Sequence, residues 1–211
     1  MFPAGPGPRE NGKEVQSGTE AVAHERDLNS LSILTVTVVL ATVTMTFGVM
    51  IAAFLVRSQA ALFWGHIRIP GILWATTTIL LASSVTLEYA RRELVRRNQR
   101  AFFRLAAWTA GLGVLFLAGQ LAAWIQILHS GIIIARNPHF GFIFLFTGLH
   151  GLHIVAGLAA LGYLLVRTRI PASGPKYQMN TRALATGVSV FWHYLDFLWV
   201  LLFSLLLIWH R

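Results

Sequence analysis

The chain has 211 residues, 55% of them hydrophobic and 12% charged, with a formal net charge of +9 and no cysteine. That balance departs from an ordinary soluble domain toward the membrane class. The missing cysteine excludes disulfides, thiolate metal sites, Cys-x-x-Cys-His haem attachment and copper centres built on thiolates.

Residues 1–28 read as a disordered cytoplasmic tail. The opening "MFPAGPGPRENGKEVQSGTEAVAHERDLNS" holds Pro3, Pro6, Pro8 and five acids with no apolar run, the composition of a solvated segment and not of a secretory signal. Residues 29–211 read as one transmembrane domain. Five runs with few or no charges, at about 31–56, 69–87, 105–128, 140–166 and 183–209, reach the roughly 18 residues that a helix needs to cross a ~30 Å hydrocarbon layer. Lipid offers the backbone no hydrogen bonds, so such runs are helices; barrel strands would alternate polar with apolar residues over about ten positions, and no such alternation occurs. The expected fold is all-α, a polytopic bundle of five transmembrane helices.

The basic residues orient the bundle. Thirteen Lys and Arg lie in the tail and in the second and fourth loops, against four on the other side. The positive-inside rule then places the N-terminus inside and the C-terminus outside. These cations flank spans in short loops, so the membrane surface accounts for the net charge and a nucleic-acid partner is not expected. The run Arg91, Arg92, Arg96, Arg97, Arg100 and Arg104 fixes topology, and Arg91, Arg92, Arg96 and Arg97 are candidates for an anionic lipid headgroup or an acidic neighbouring subunit.

The chain contains no tandem repeat, P-loop, dinucleotide fingerprint or zinc-protease motif. Gly111, Gly113 and Gly119 in the third span, and Gly148, Gly151 and Gly157 in the fourth, mark faces where helix backbones approach closely. Asn137-Pro138 and the group Pro171, Gly174, Pro175 are turn signals at span ends. Trp64, Trp74, Trp108, Trp124, Trp192 and Trp209 read as interface anchors or packing residues, and His66, His129 and His139 as residues in or near the outer loops.

Polar residues inside the spans carry the functional information. "TGLHGLHIVAG" places His150 and His153 on one face of the fourth helix, and "FWHYLDFLW" places His193 and Asp196 on one face of the fifth. At 1.5 Å per residue His153 lies roughly 17 Å in from the outer end of its run, and Asp196 roughly 19 Å in from the inner end of its own. A hydrogen bond from Asp196 to a histidine of the fourth helix is therefore the expected reason an acid is kept there. Three uses compete for the cluster: interhelical hydrogen bonds that hold the bundle together, ligation of a metal or a haem by His153 and His193, and a proton or substrate path. A single Asp, with no acid in the first and third spans and only Glu88 at the edge of the second, makes a poor relay.

"FWHYLDFLWVLLFSLLLIW" resembles the final helix of subunit III of the haem-copper cytochrome oxidases, with its Trp-His-Phe/Tyr-x-Asp-x-x-Trp pattern, and "TGLHGLHIVAG" resembles that family's Thr-Gly-x-His-Gly-x-His helix. "LASSVTLEYARR" and "GQLAAW" are similar to the bacterial members, so the likeness covers roughly residues 31–209, in the shorter five-helix form. The resemblance implies a non-catalytic subunit of a terminal oxidase that reduces oxygen and translocates protons, in the bacterial cytoplasmic membrane. It implies no cofactor on this chain, haem and copper in partner subunits, bound phospholipid, contact with the catalytic subunit I and other oxidase subunits, and membership of a respiratory supercomplex as an option. His150, His153, Trp192, His193, Asp196 and Trp199 fall on motif positions, where the resemblance assigns helix packing and lipid contact. The equivalent subunit of a quinol oxidase or nitric oxide reductase cluster is the alternative, and a b-type haem electron carrier the more distant one. The sequence departs from the family pattern at Val43 and Ala123, where many relatives carry acids, which removes the basis for a proton-linked role at those positions.

Overall fold

The computed structural model describes residues 34–58, 71–129, 138–169 and 175–209. They form α1 (Leu34–Ser58), α2 (Ile72–Val95), α3 (Gln99–His129), α4 (Pro138–Arg169) and α5 (Pro175–Trp209). All five are long and apolar enough to cross a membrane, so the chain is an all-α polytopic bundle. The expected disordered tail, residues 1–28, lies outside the described residues, as do His66, Trp64 and the first residues of the first two expected spans.

The helices overrun the apolar runs, most of all where the sequence turns basic. α2 continues to Val95 and α3 begins at Gln99, so most of the expected second loop is helical. The cause is local: Glu88 pairs with Arg91 at 2.8 Å and with Arg92 at 3.0 Å, and Glu93 with Arg96 at 3.0 Å. Pairs at these spacings support a helix that has left the apolar layer. The link that remains, Arg96–Asn98, is a closed turn. Arg97 adopts a positive φ of 62°, its N–H donates to the Leu94 carbonyl at 3.2 Å, and the Asn98 N–H donates to the Glu93 carbonyl at 3.0 Å. This is the Schellman pattern, with arginine where glycine is usual. Asn98 then caps α3, its Oδ1 accepting from the Ala101 N–H at 3.3 Å. At the other junctions Pro138 and Pro175 open α4 and α5, where a fixed φ and a missing N–H suit the first helical position.

Successive helices run in alternating directions and share two core layers. Toward the end where α3 begins, Leu87, Ala90, Phe102, Ala106, Leu161, Leu164 and Trp192 pack together. Toward the opposite end the core is Leu73, Leu80, Phe116, Ile154, Leu195, Trp199 and Phe203. α1 joins from the side: Val43, Phe47 and Phe54 pack on Phe146, Leu198 and Leu202. Nearer its N-terminus, α1 leaves a cleft of about 530 Å³ against α4 and α5, lined by Val36, Val39, Ala160, Leu184 and Phe191 among others.

The glycines divide. Trp192 is wedged between Gly113 and Gly157, whose Cβ atoms, if present, would stand 3.0 and 3.2 Å from its ring. A Cβ on Gly119 would run into the Thr76 methyl group, whereas Gly111 faces open space and is not a packing position.

Candidate functional site

α2 is the polar spine of the bundle. Its segment "ATTTILLASSVTLE" places hydroxyls at Thr76, Thr77, Ser83, Ser84 and Thr86 along the sides that meet α3 and α5. The Trp199 indole N–H donates to Thr77 Oγ1 and that of Trp192 to Ser83 Oγ, each at 3.0 Å. Gln120 Nε2 reaches Thr76 Oγ1 at 3.4 Å, and the Thr86 and Thr109 hydroxyls lie 2.9 Å apart. Thr76, Thr77, Ser83 and Thr86 also donate to carbonyls of their own helix, at 3.0, 2.7, 2.6 and 2.8 Å. Thr76, Thr77 and Ser83 thus satisfy their protons within α2 and offer a lone pair to a neighbour, while between Thr86 and Thr109 one hydroxyl donates to the other, which lets polar groups bind helices together inside lipid.

Ser84 works differently. Its hydroxyl donates to Asp196 Oδ2 on α5, and its oxygen lies 2.9 Å from His193 Nδ1, which in this arrangement carries the proton and donates. Asp196 is buried, and its Oδ1 has no partner among the described residues. His193, by contrast, stands exposed on the outside of the bundle.

The histidines of α4 do not join this group. His150 is fully buried with neither ring nitrogen hydrogen-bonded among the described residues; its ring packs 5.0 Å from Trp199 and edge-on 5.9 Å from Phe116. His153 Nδ1 meets the Leu149 carbonyl at 2.7 Å, and its ring lies 5.6 Å from Phe47 of α1. The expected histidine partner for Asp196 is therefore replaced by a serine of α2. Matched depth brings residues to one level of the bundle, but Asp196 and His193 face α2 while His153 faces α1. The same divergence separates His153 from His193 and removes the facing pair that a bis-histidine haem requires. Among the described residues no three His, Asp or Glu side chains gather as a metal-binding set.

Of the basic candidates, Arg91 and Arg92 are paired with Glu88 and Arg96 with Glu93, while Arg97 forms the turn. Trp74 and Trp108 are exposed as interface anchors would be, but Trp192 and Trp199 are interior hydrogen-bond donors, and the Trp124 indole donates to Thr147 Oγ1 at 3.0 Å. Val43 and Ala123 are both buried in apolar cores, where they act as packing residues. The α2 hydroxyls were not singled out from sequence, although their density in one apolar run was a usable signal.

Five helices long and apolar enough to cross a membrane, tied by internal side-chain hydrogen bonds, define a polytopic membrane protein. The family profile described as cytochrome c oxidase subunit III matches residues 65–211, more than half of the chain. The chain belongs to that family, the third subunits of haem-copper oxidases. A probable cytochrome c oxidase subunit 3 from Nocardia farcinica is 31% identical over 131 residues, 61% of either chain. Two relatives align over almost their whole length: cytochrome c oxidase subunit 3 of Thermostichus vulcanus is 26% identical over 92% of this chain and 96% of its own. The probable subunit 3 of Mycobacterium leprae is 28% identical over 90% and 94%.

Proposed function

We propose that the chain is a non-catalytic subunit that packs beside the catalytic subunit of a respiratory oxidase in a bacterial cytoplasmic membrane, keeps it durable through turnover and holds phospholipid. One observation carries this reading: the acid deep in the bundle, Asp196, is bound to a serine hydroxyl between two helices, and the one titratable side chain beside that hydroxyl among the described residues, His193, faces out of the bundle and leads to no second acid. Glu88 and Glu93, the other described acids, are engaged by arginines of their own helix or its turn. Intramembrane polar groups that join helices stabilise a subunit, whereas a proton path needs a succession of titratable groups. The haems and copper belong to partner subunits in this scheme. The cleft beside α1, apolar with Arg167 and Asn180 also in its lining, supports the lipid-holding part.

The test compares the assembled oxidase with and without this chain. Removing the chain should leave the initial rate of oxygen reduction largely intact and shorten the number of turnovers before activity decays. Immediate and complete loss of oxygen reduction in a complex that still holds its haems would defeat the non-catalytic assignment.

A further inference from the structure

Where α3 begins and α4 ends, Arg100, Phe103 and Arg104 of α3 face Thr168 and Arg169 of α4 across an open groove of about 700 Å³. The arginine of α4 is held in place: its guanidinium carbon lies 4.3 Å from the centre of the Phe103 ring. None of the three arginines meets a carboxylate among the described residues. The described residues contain three acids, of which Glu88 and Glu93 are paired with Arg91, Arg92 and Arg96, and Asp196 is deep in the bundle. Three guanidiniums converging from two helices on one groove repel each other, and an anion seated among them removes that repulsion and takes their fork-shaped donors.

The groove continues as an apolar trough. Further into the membrane, the edge of α3 that carries Phe103 presents Ala107 and Val114, and the face of α4 that carries Arg169 presents Val166 and Gly162. Ala107, Val114 and Val166 are exposed, and a Cβ placed on Gly162 would meet nothing within 4 Å. The arginines flank the apolar runs of their helices, at the level of lipid headgroups.

A charged mouth over an apolar trough matches a molecule with a phosphate head and a hydrocarbon tail. We infer that this groove binds one anionic phospholipid, its phosphate among Arg100, Arg104 and Arg169 and an acyl chain lying over Ala107 and Gly162. The inference rests on the lipid-holding reading above and gives it a defined place, apart from the cleft beside α1.

The assembled oxidase carrying the full chain, stripped of lipid in detergent and titrated with dioleoylphosphatidylglycerol under native mass spectrometry, tests it. Arg100→Gln, Arg104→Gln and Arg169→Gln should each weaken binding about fivefold, and Arg100→Gln with Arg104→Gln about 25-fold. Arg100→Lys with Arg104→Lys should keep most of it, which separates loss of charge from loss of fold. Arg91→Gln with Arg96→Gln should change it little. Ala107→Leu with Gly162→Leu should weaken it with every charge retained. Unchanged affinity in the glutamine variants, while the complex still binds the lipid, would overturn this site and leave lipid binding elsewhere intact. A complex that retains no phosphatidylglycerol at all would defeat the lipid-holding reading itself. Displacement by millimolar inorganic phosphate, with no effect of the Ala107→Leu and Gly162→Leu pair, would show a free-anion site and overturn the lipid assignment.

Discussion

Ser84 and Asp196 join α2 to α5 through a hydrogen bond in which the serine gives its proton to the neighbouring helix and not to its own. The nearby hydroxyls of Thr76, Thr77, Ser83 and Thr86 all donate back to α2, so Ser84 is the member of that set that donates across helices, and its removal leaves the buried Asp196 carboxyl without its partner. Ser84→Ala should therefore destabilise the bundle by about 1–3 kcal/mol, the usual cost of an orphaned buried polar group. Asp196→Leu added to it should restore part of the loss, because an apolar pair leaves nothing unsatisfied. A double-mutant cycle in detergent unfolding measures the coupling; strictly additive effects would mean that the two residues do not act as a pair.

The close approach of α2 and α3 gives a second expectation. Gly119→Ala places a methyl group against the Thr76 methyl and should cost about 1–3 kcal/mol, as overpacking of a filled interface does. Thr76→Ser removes the opposing methyl and should rescue it. Gly111→Ala, into open space, should be neutral or stabilise by about 0.5–1 kcal/mol. Thermal unfolding of the three variants distinguishes them, and equal losses at Gly111 and Gly119 would contradict the described interface.

Arg97 occupies a left-handed conformation at the end of α2. Arg97→Gly should raise stability by about 0.5–1 kcal/mol by relieving the strain of a side chain there, and Arg97→Val should lower it. A stability order with valine above glycine would rule out the Schellman turn.

The alternating helices and the uneven distribution of basic residues make a topological prediction. A reporter fused after Arg211 should be active outside the cytoplasm, and one inserted beside Gln99 should be active inside. The reverse pattern would contradict the orientation drawn from the charges.

The spans were legible because a helix in lipid must be long, apolar and internally hydrogen-bonded, which leaves its mark on every residue. The helix ends were less so, since hydropathy stops at the lipid boundary while Glu88, Arg91 and Arg92 carry the helix past it. Partners were the least legible. Rise per residue sets the depth of Asp196 and His153, but which neighbour a side chain meets depends on rotation about the helix axis and on helix order around the bundle, neither of which depth supplies. The interior role of Trp192 follows from Gly113 and Gly157 on two other helices, a long-range coincidence that local pattern does not reveal.

The turn Arg96–Asn98 also bears on how the molecule is made. With so short a link, α2 and α3 emerge from synthesis as a two-legged unit whose mutual contacts join residues near in sequence, so little loop-closure entropy opposes their pairing. The partners of α1 arrive far later: Phe47 and Val43 find their core only when Phe146, Leu198 and Leu202 have entered the membrane. Although made before α2 to α5, α1 is thus the last of the five to be enclosed, and a chain arrested before α4 would hold a finished α2–α3 hairpin beside an α1 still facing lipid.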